Sequence, residues 1–192
     1  MNVTTEQLFT EARTQGGYLP APVSDDTLRQ LYELMKWGPT SANCTPARIV
    51  FVRTHEAKAK LVSCMDAGSN QRKVQEAPVT AILGMDMAFY EQLPRLFPHT
   101  DARAWFAGQP KKIEETALRN ASLQGGYFII AARALGLDCA PMGGFDAAAL
   151  DAAFWAGTSV KSNFVCCLGH GDPARLHARN PRLSFDEACR LA

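Results

Sequence analysis

The 192 residues carry 20 Lys and Arg against 19 Asp and Glu, for a formal net charge of +1, and 47% of them are apolar. A chain of that size buries one substantial core, and its evenly mixed charge leaves no electrostatic footprint for nucleic acid or an anionic membrane. The amphipathic, acid-containing start reads as neither a secretory nor a transit peptide, and the longest apolar stretch, near 127–132, is too short to span a bilayer. The expectation is a soluble, cytoplasmic protein with one domain over 1–192.

Thr4 to Arg13 reads as a short helix, followed by a breaker-rich loop from Gly16-Gly17 to Pro22. Ser24 is an N-cap candidate, and Thr27, Leu28, Leu31, Leu34 and Met35 give helical spacing up to Trp37, where Gly38-Pro39 stops the helix. Ile49–Val52 has the β-branched and aromatic content of a strand, and His55–Met65 suits another helix. Pro78–Leu83 reads as a buried strand, and Glu91–Trp105 as an irregular insertion punctuated by proline.

Lys112 to Leu135 predicts one long helix with Gly136 beyond its end as the C′ residue. Gly125-Gly126 in its middle costs about 1 kcal/mol per residue relative to Ala, so close packing against another backbone is expected there, a two-fold dimer contact being one form of it. Cys139–Met142 and Phe164–Leu168 are further strands, with a helix near Ala147–Phe154 between them and a last helical turn in Phe185–Leu191. Strands and helices interleave without a strict βαβ rhythm, which predicts an α+β fold.

Six cysteines show no CxxC spacing and no nearby histidine, so no metal site is expected. Cys166 and Cys167 stand side by side in a strand whose side chains alternate between faces, and buried, reduced thiols explain them better than a redox disulfide.

Four segments have side chains suited to chemistry. Gly38 to Pro46 puts hydroxyls and an amide in a loop bounded by prolines, able to offer donors and acceptors to a flat, polar heterocycle; such groups also commonly bond their own backbone. Asn70-Gln71-Arg72-Lys73 precedes the buried strand, where a lysine is either a solvated charge or a partner for developing negative charge. Pro141-Met142-Gly143-Gly144 follows a strand, as a simple turn or as a close approach of backbone N–H groups to a ligand. Arg175, Arg179 and Arg182 near the end, with Arg13 near the start, suit a phosphate dianion if they converge.

The order of these segments resembles the FMN-dependent nitroreductase family over nearly the whole chain. Lys36 to Asn43, Ala77 to Ile82, Phe89-Tyr90-Glu91, Leu96 to His99, Arg133 to Asp138, Lys161-Ser162-Asn163 and Ala178 to Phe185 carry the match, which is nearest to the RutE/HadB branch, associated with malonic semialdehyde reduction in pyrimidine breakdown. The resemblance implies a nitroreductase-like fold, a mixed or antiparallel sheet flanked by helices in an intertwined homodimer that shares each FMN site. It implies Thr40, Ser41 and Asn43 on the ring and ribityl chain, Asn70 and Lys73 at the pyrimidine ring, and a cofactor-binding turn of Pro141, Met142, Gly143 and Gly144 that places the backbone N–H of Gly143 or Gly144 beside N5. Arg13 and Arg182, with Arg179 as a further candidate, would hold the phosphate, Thr14 would be a further cofactor-binding residue, and Lys73 would act in catalysis by stabilising the charge of reduction.

NADH or NADPH would be a transient hydride donor, which fits the missing Rossmann glycine fingerprint. The acceptor would be 3-oxopropanoate, its carboxylate held by Arg48, Arg72 or Arg103, or else a nitro, quinone or enone compound; a non-catalytic FMN-binding module is the remaining alternative. Two departures from the family pattern stand out. Gln15-Gly16-Gly17 lacks the usual second basic residue, and Asn43-Cys44-Thr45-Pro46-Ala47 replaces the common Asn-x-Gln-Pro-Trp.

Overall fold

A computed structural model describes residues 2–192. After a five-residue turn of π helix at Glu6–Thr10, the elements are α1 (Asp25–Met35), β1 (Ala47–Val52), α2 (His55–Val62), α3 (Ser69–Glu76), β2 (Val79–Asp86) and α4 (Leu93–Leu96). There follow α5 (Pro110–Ala134), β3 (Asp138–Met142), α6 (Ala147–Phe154), β4 (Val160–Gly169) and α7 (Phe185–Ala188).

The four strands form one sheet in the order β1-β2-β4-β3, every neighbour antiparallel. Of the two expected arrangements the antiparallel one is found; the parallel contact is confined to an isolated bridge, Thr14 to Cys139. Strand β2 is buried at all eight positions because helices cover both faces. Val79, Ala81 and Leu83 face α1 and α5, packing with Leu31, Met35 and Phe128, while Ile82 faces Leu61, Val74 and Leu150 of α2, α3 and α6. Cys166 joins the first cluster and Cys167 the second, as the alternation predicts. Burying one such Leu or Phe contributes about 1.5–3 kcal/mol, so this two-sided core fixes the sheet and the loops it carries.

Ser24 caps α1 through its hydroxyl, accepting the Thr27 N–H, and Leu28, Leu31 and Met35 supply its buried stripe. The predicted helix over Thr4–Arg13 is reduced to the π turn, and the Asn70–Lys73 segment is helical, in α3, rather than a strand entrance. The insertion holds α4 and two short 3-10 turns over a third cluster of Phe89, Leu93, Phe106 and Ile113. Gly125 packs against a ring rather than a backbone: a Cβ there would stand 2.6 Å from Phe164, whereas Gly126 has nothing within 4 Å. No helix among the described residues is long and apolar enough to cross a membrane, and no cluster of His, Cys, Asp and Glu there would hold a metal.

Candidate functional site

The N-terminal segment runs beside β3, with the Gln15 N–H donating to the Cys139 carbonyl. That pairing brings residues 9–16 against the start of α3, the end of α5 and the tail 175–182, enclosing a cleft of about 970 Å³. Arg13, Arg72, Lys73, Arg133, Arg175, Arg179 and Arg182 line it, and none of its lining residues is acidic. Of these seven cations Arg175 is paired with Glu76 and the other six make no ion pair among the described residues, which makes the cleft a site for an anion.

Two of these arginines also fasten the chain ends together. The Arg13 guanidinium donates to the His177 carbonyl, and that of Arg179 donates to the Thr10 and Ala12 carbonyls at 2.7 and 3.2 Å. Arg133 donates through Nη1 to the Leu8 carbonyl at 2.8 Å, but its Nε is buried with no acceptor, the only such side-chain donor among the described residues. An unpaired buried donor costs about 1–3 kcal/mol. Arg182 bonds the carbonyls of Asn180 and Pro181, leaving further donors of its fork.

The absent second basic residue has a spatial explanation. Gly17 lies under Arg175: a Cβ there would stand 2.4 Å from the guanidinium carbon, and one on Gly16 would stand 2.5 Å from the Arg175 carbonyl oxygen. The glycines give this space to a cation from the far end of the chain, itself paired with Glu76.

At the α3 side, the Lys73 ammonium reaches the Asn70 carboxamide at 3.5 Å. Asn70 in turn meets the turn after β3, since a Cβ on Gly144 would stand 3.4 Å from its Nδ2, while Gly143 has open space around it. The structure therefore gathers Arg13, Thr14, Asn70, Lys73, Gly143, Gly144, Arg179 and Arg182 on one side of the molecule. Pro141 and Met142, the last residues of β3, lead into that turn.

Thr40, Ser41 and Asn43 are elsewhere. The Ser41 N–H donates to Asn120 Oδ1 at 2.8 Å and Asn43 Nδ2 to the Leu96 carbonyl at 2.9 Å. Asn120 precedes Arg133 by 13 residues on α5, so at 1.5 Å per residue the loop lies about 20 Å along the helix from the cleft. Within one chain these two parts do not meet. Ala42, Asn43 and Thr45 all adopt left-handed backbone, with φ of 50, 51 and 36°. Each costs of order 1–3 kcal/mol, strain that concentrates at ligand sites.

Sequence reading missed the residues that hold this loop. Asn120 and Gln124 are buried on α5, and Gln124 Oε1 accepts the Ala47 N–H at 2.9 Å. Polar residues four apart on an otherwise apolar helix face are the signal that marks them. Of the three arginines considered for a carboxylate, Arg48 is paired with Asp86 and Arg103 with Glu91, whereas Arg72 makes no side-chain bond among the described residues and lines the cleft.

The donor set suits FMN: an acid-free arginine cluster for a phosphate dianion, then an amide, an ammonium and a two-glycine turn for a polar ring edge. Residues 10–171 match the model of the nitroreductase family. A protein of Cupriavidus pinatubonensis with the provisional name NADH dehydrogenase/NAD(P)H nitroreductase is 58% identical over 194 residues, covering 100% of this chain and 98% of its own. One of Stenotrophomonas maltophilia with the same provisional name is 61% identical over 97% of this chain and 95% of its own. A nitroreductase from Exiguobacterium sibiricum, solved in complex with FMN, superposes with a TM-score of 0.88 at 18% identity, covering 100% of this chain and 99% of its own. This chain belongs to the nitroreductase family.

Proposed function

We infer that the chain is an FMN-dependent oxidoreductase that passes hydride from NADH or NADPH to a small acceptor, working as a cytoplasmic homodimer. The cleft with six unpaired cations and no acidic lining residue carries this reading, because it would supply a phosphate site beside Asn70, Lys73 and the Gly143-Gly144 turn. Bound FMN would supply two-electron hydride chemistry between donor and acceptor. Arg13, Arg133, Arg179 and Arg182 would hold its phosphate, Pro141 and Met142 would position the turn whose N–H groups face the ring, and Asn70 would orient the pyrimidine end. Lys73 would stabilise the negative charge that reduction places there.

The homodimer follows from the divided site. Thr40, Ser41 and Asn43 are too far from the cleft in their own chain, so a second copy would bring its loop to it. Leu123, Gly126 and Tyr127 form an exposed stripe on α5 suited to that contact. Five buried reduced thiols fit a reducing compartment.

Arg72 favours 3-oxopropanoate as the acceptor, since it is a cleft cation available for a small carboxylate. Hydride to the aldehyde carbon and a proton from solvent to its oxygen give 3-hydroxypropanoate, and NAD(P)H leaves as NAD(P)+. A second reading, a reductase of neutral planar acceptors such as quinones or nitroaromatics, is favoured by the partly exposed Trp105 beside Phe97 in the insertion. Turnover of 3-oxopropanoate compared with a nitroaromatic, using protein reconstituted with FMN, separates the two. Dominant turnover of the nitroaromatic, unaffected by Arg72→Ala, would reject the carboxylate reading.

A further inference from the structure

Asp66 is the acidic residue that the architecture brings to the same turn. Its backbone N–H donates to the Gly144 carbonyl at 3.1 Å, Met65 bridges to Phe145, and the Asp146 N–H donates to the Cys64 carbonyl. The segment 64–66 is thus laced to 144–146 by two backbone bonds, one at Asp66 itself and one two residues before it. A Cβ on Gly144 would stand 2.9 Å from Asp66 Oδ2 and 3.4 Å from Asn70 Nδ2, so the acid and the amide flank one point on the turn. No ion pair neutralises Asp66 among the described residues, and its side chain donates or accepts no hydrogen bond there. The facing groups on the adjoining elements are Asn70 and, one helical turn further on, Lys73, which bonds Asn70.

We propose that Asp66 is an electrostatic tuning residue: its carboxylate opposes Lys73 at the reactive edge of the bound flavin and lowers the flavin's reduction potential. The inference rests on the flavin reading above and adds a residue to it. A fixed negative charge disfavours the charge that arrives with hydride, whereas an ammonium favours it, so the balance of Asp66 and Lys73 sets how readily the reduced cofactor gives hydride up. The backbone lacing matters, because a carboxylate on a free loop would swing away from the developing charge.

Dye-equilibration titration of the FMN-loaded protein tests this through the midpoint potential. Asp66→Asn keeps the shape and the backbone bond while removing the charge. It should shift the ratio of reduced to oxidised flavin at a fixed potential about tenfold toward reduced, a rise of about 30 mV for a two-electron couple. Asp66→Glu should restore the wild-type value, Lys73→Met should shift the potential the opposite way, and all these shifts should shrink at high salt because the site is open to solvent. An unchanged potential in Asp66→Asn, with Lys73→Met still shifting it, overturns the role of Asp66 and leaves the flavin site standing. Failure of the wild-type protein to take up FMN overturns the flavin site, and Asp66's role with it.

Discussion

Gly125 lies directly beneath the ring of Phe164, so close that a methyl group at position 125 would overlap it at 2.6 Å. The contact seats α5 on β4 and turns the neighbouring Gly126 outward. Gly125→Ala should therefore lose about 1–3 kcal/mol through overpacking. Thermal unfolding should show the loss, and Phe164→Leu in the same chain should recover part of it.

Gly126 answers a different question. A Cβ there would meet no other part of the chain within 4 Å, so Ala would gain about 1 kcal/mol of helix propensity if solvent covered this face. If a second copy packs there, a large side chain must separate the copies. Light scattering should report the 20.9 kDa monomer for Gly126→Trp and twice that mass for the wild type. A Gly126→Trp protein that retains the wild-type mass would place the dimer contact elsewhere.

The arginine cleft makes a prediction about affinity. Arg13→Ala or Arg133→Ala should each weaken FMN binding by about 10- to 100-fold, the worth of a hydrogen bond to a charged group. Riboflavin, which lacks the phosphate, should bind both variants and the wild type alike. Fluorescence quenching on titration distinguishes the two ligands.

The acid limb of stability is set partly in the insertion. The Arg103 guanidinium donates to Glu91 at 2.7 and 2.9 Å and holds its carboxyl below the ordinary value of 4.5. A lowered folded-state pKa means that the pair helps at pH above that value, and the help is lost as pH falls through the folded one. Emission from Trp105, next to this pair, should change below about pH 4.5 in the wild type, and Glu91→Gln should remove that step.

Thiol chemistry supplies a further check. Burial pushes the Cys44 and Cys167 thiols up to about 11, so their neutral forms support the fold fully below the ordinary value of 9.0. That support declines as pH rises from there through about 11. At pH 8 the native protein should show at most one rapidly reacting thiol, the exposed Cys189, and none in Cys189→Ser.

Much of the scaffold could be read from residues alone, for physical reasons. Ser24 with Leu28, Leu31 and Met35 announces α1 because a cap and a single-faced stripe are both local signals. The continuous apolar run of β2 announces burial on both faces. By contrast α3 has one buried residue, Val74, among eight mostly polar ones, so it carries no periodicity to detect. The position of Arg175 over Gly17 and the clamp from Asn120 to Ser41 join residues 158 and 79 apart, and neither leaves a local mark in the sequence. The family's order of motifs identified which residues to watch. The local sequence does not show that the hydroxyl loop is held at Asn120 and Gln124 while the arginine cleft adjoins Arg133 further along the same helix.

That separation leads to the most direct test. Ser41→Ala/Asn43→Ala disables only the loop, and Arg13→Ala/Lys73→Met disables only the cleft, so each homodimer should be nearly inactive as an NADPH oxidase with an added acceptor. Unfolded together and refolded, the two variants should regain about a quarter of wild-type activity, because half the dimers are mixed and each mixed dimer holds one intact site. Absence of recovery, with mixed dimers seen by mass spectrometry, would contradict a flavin site built from two copies.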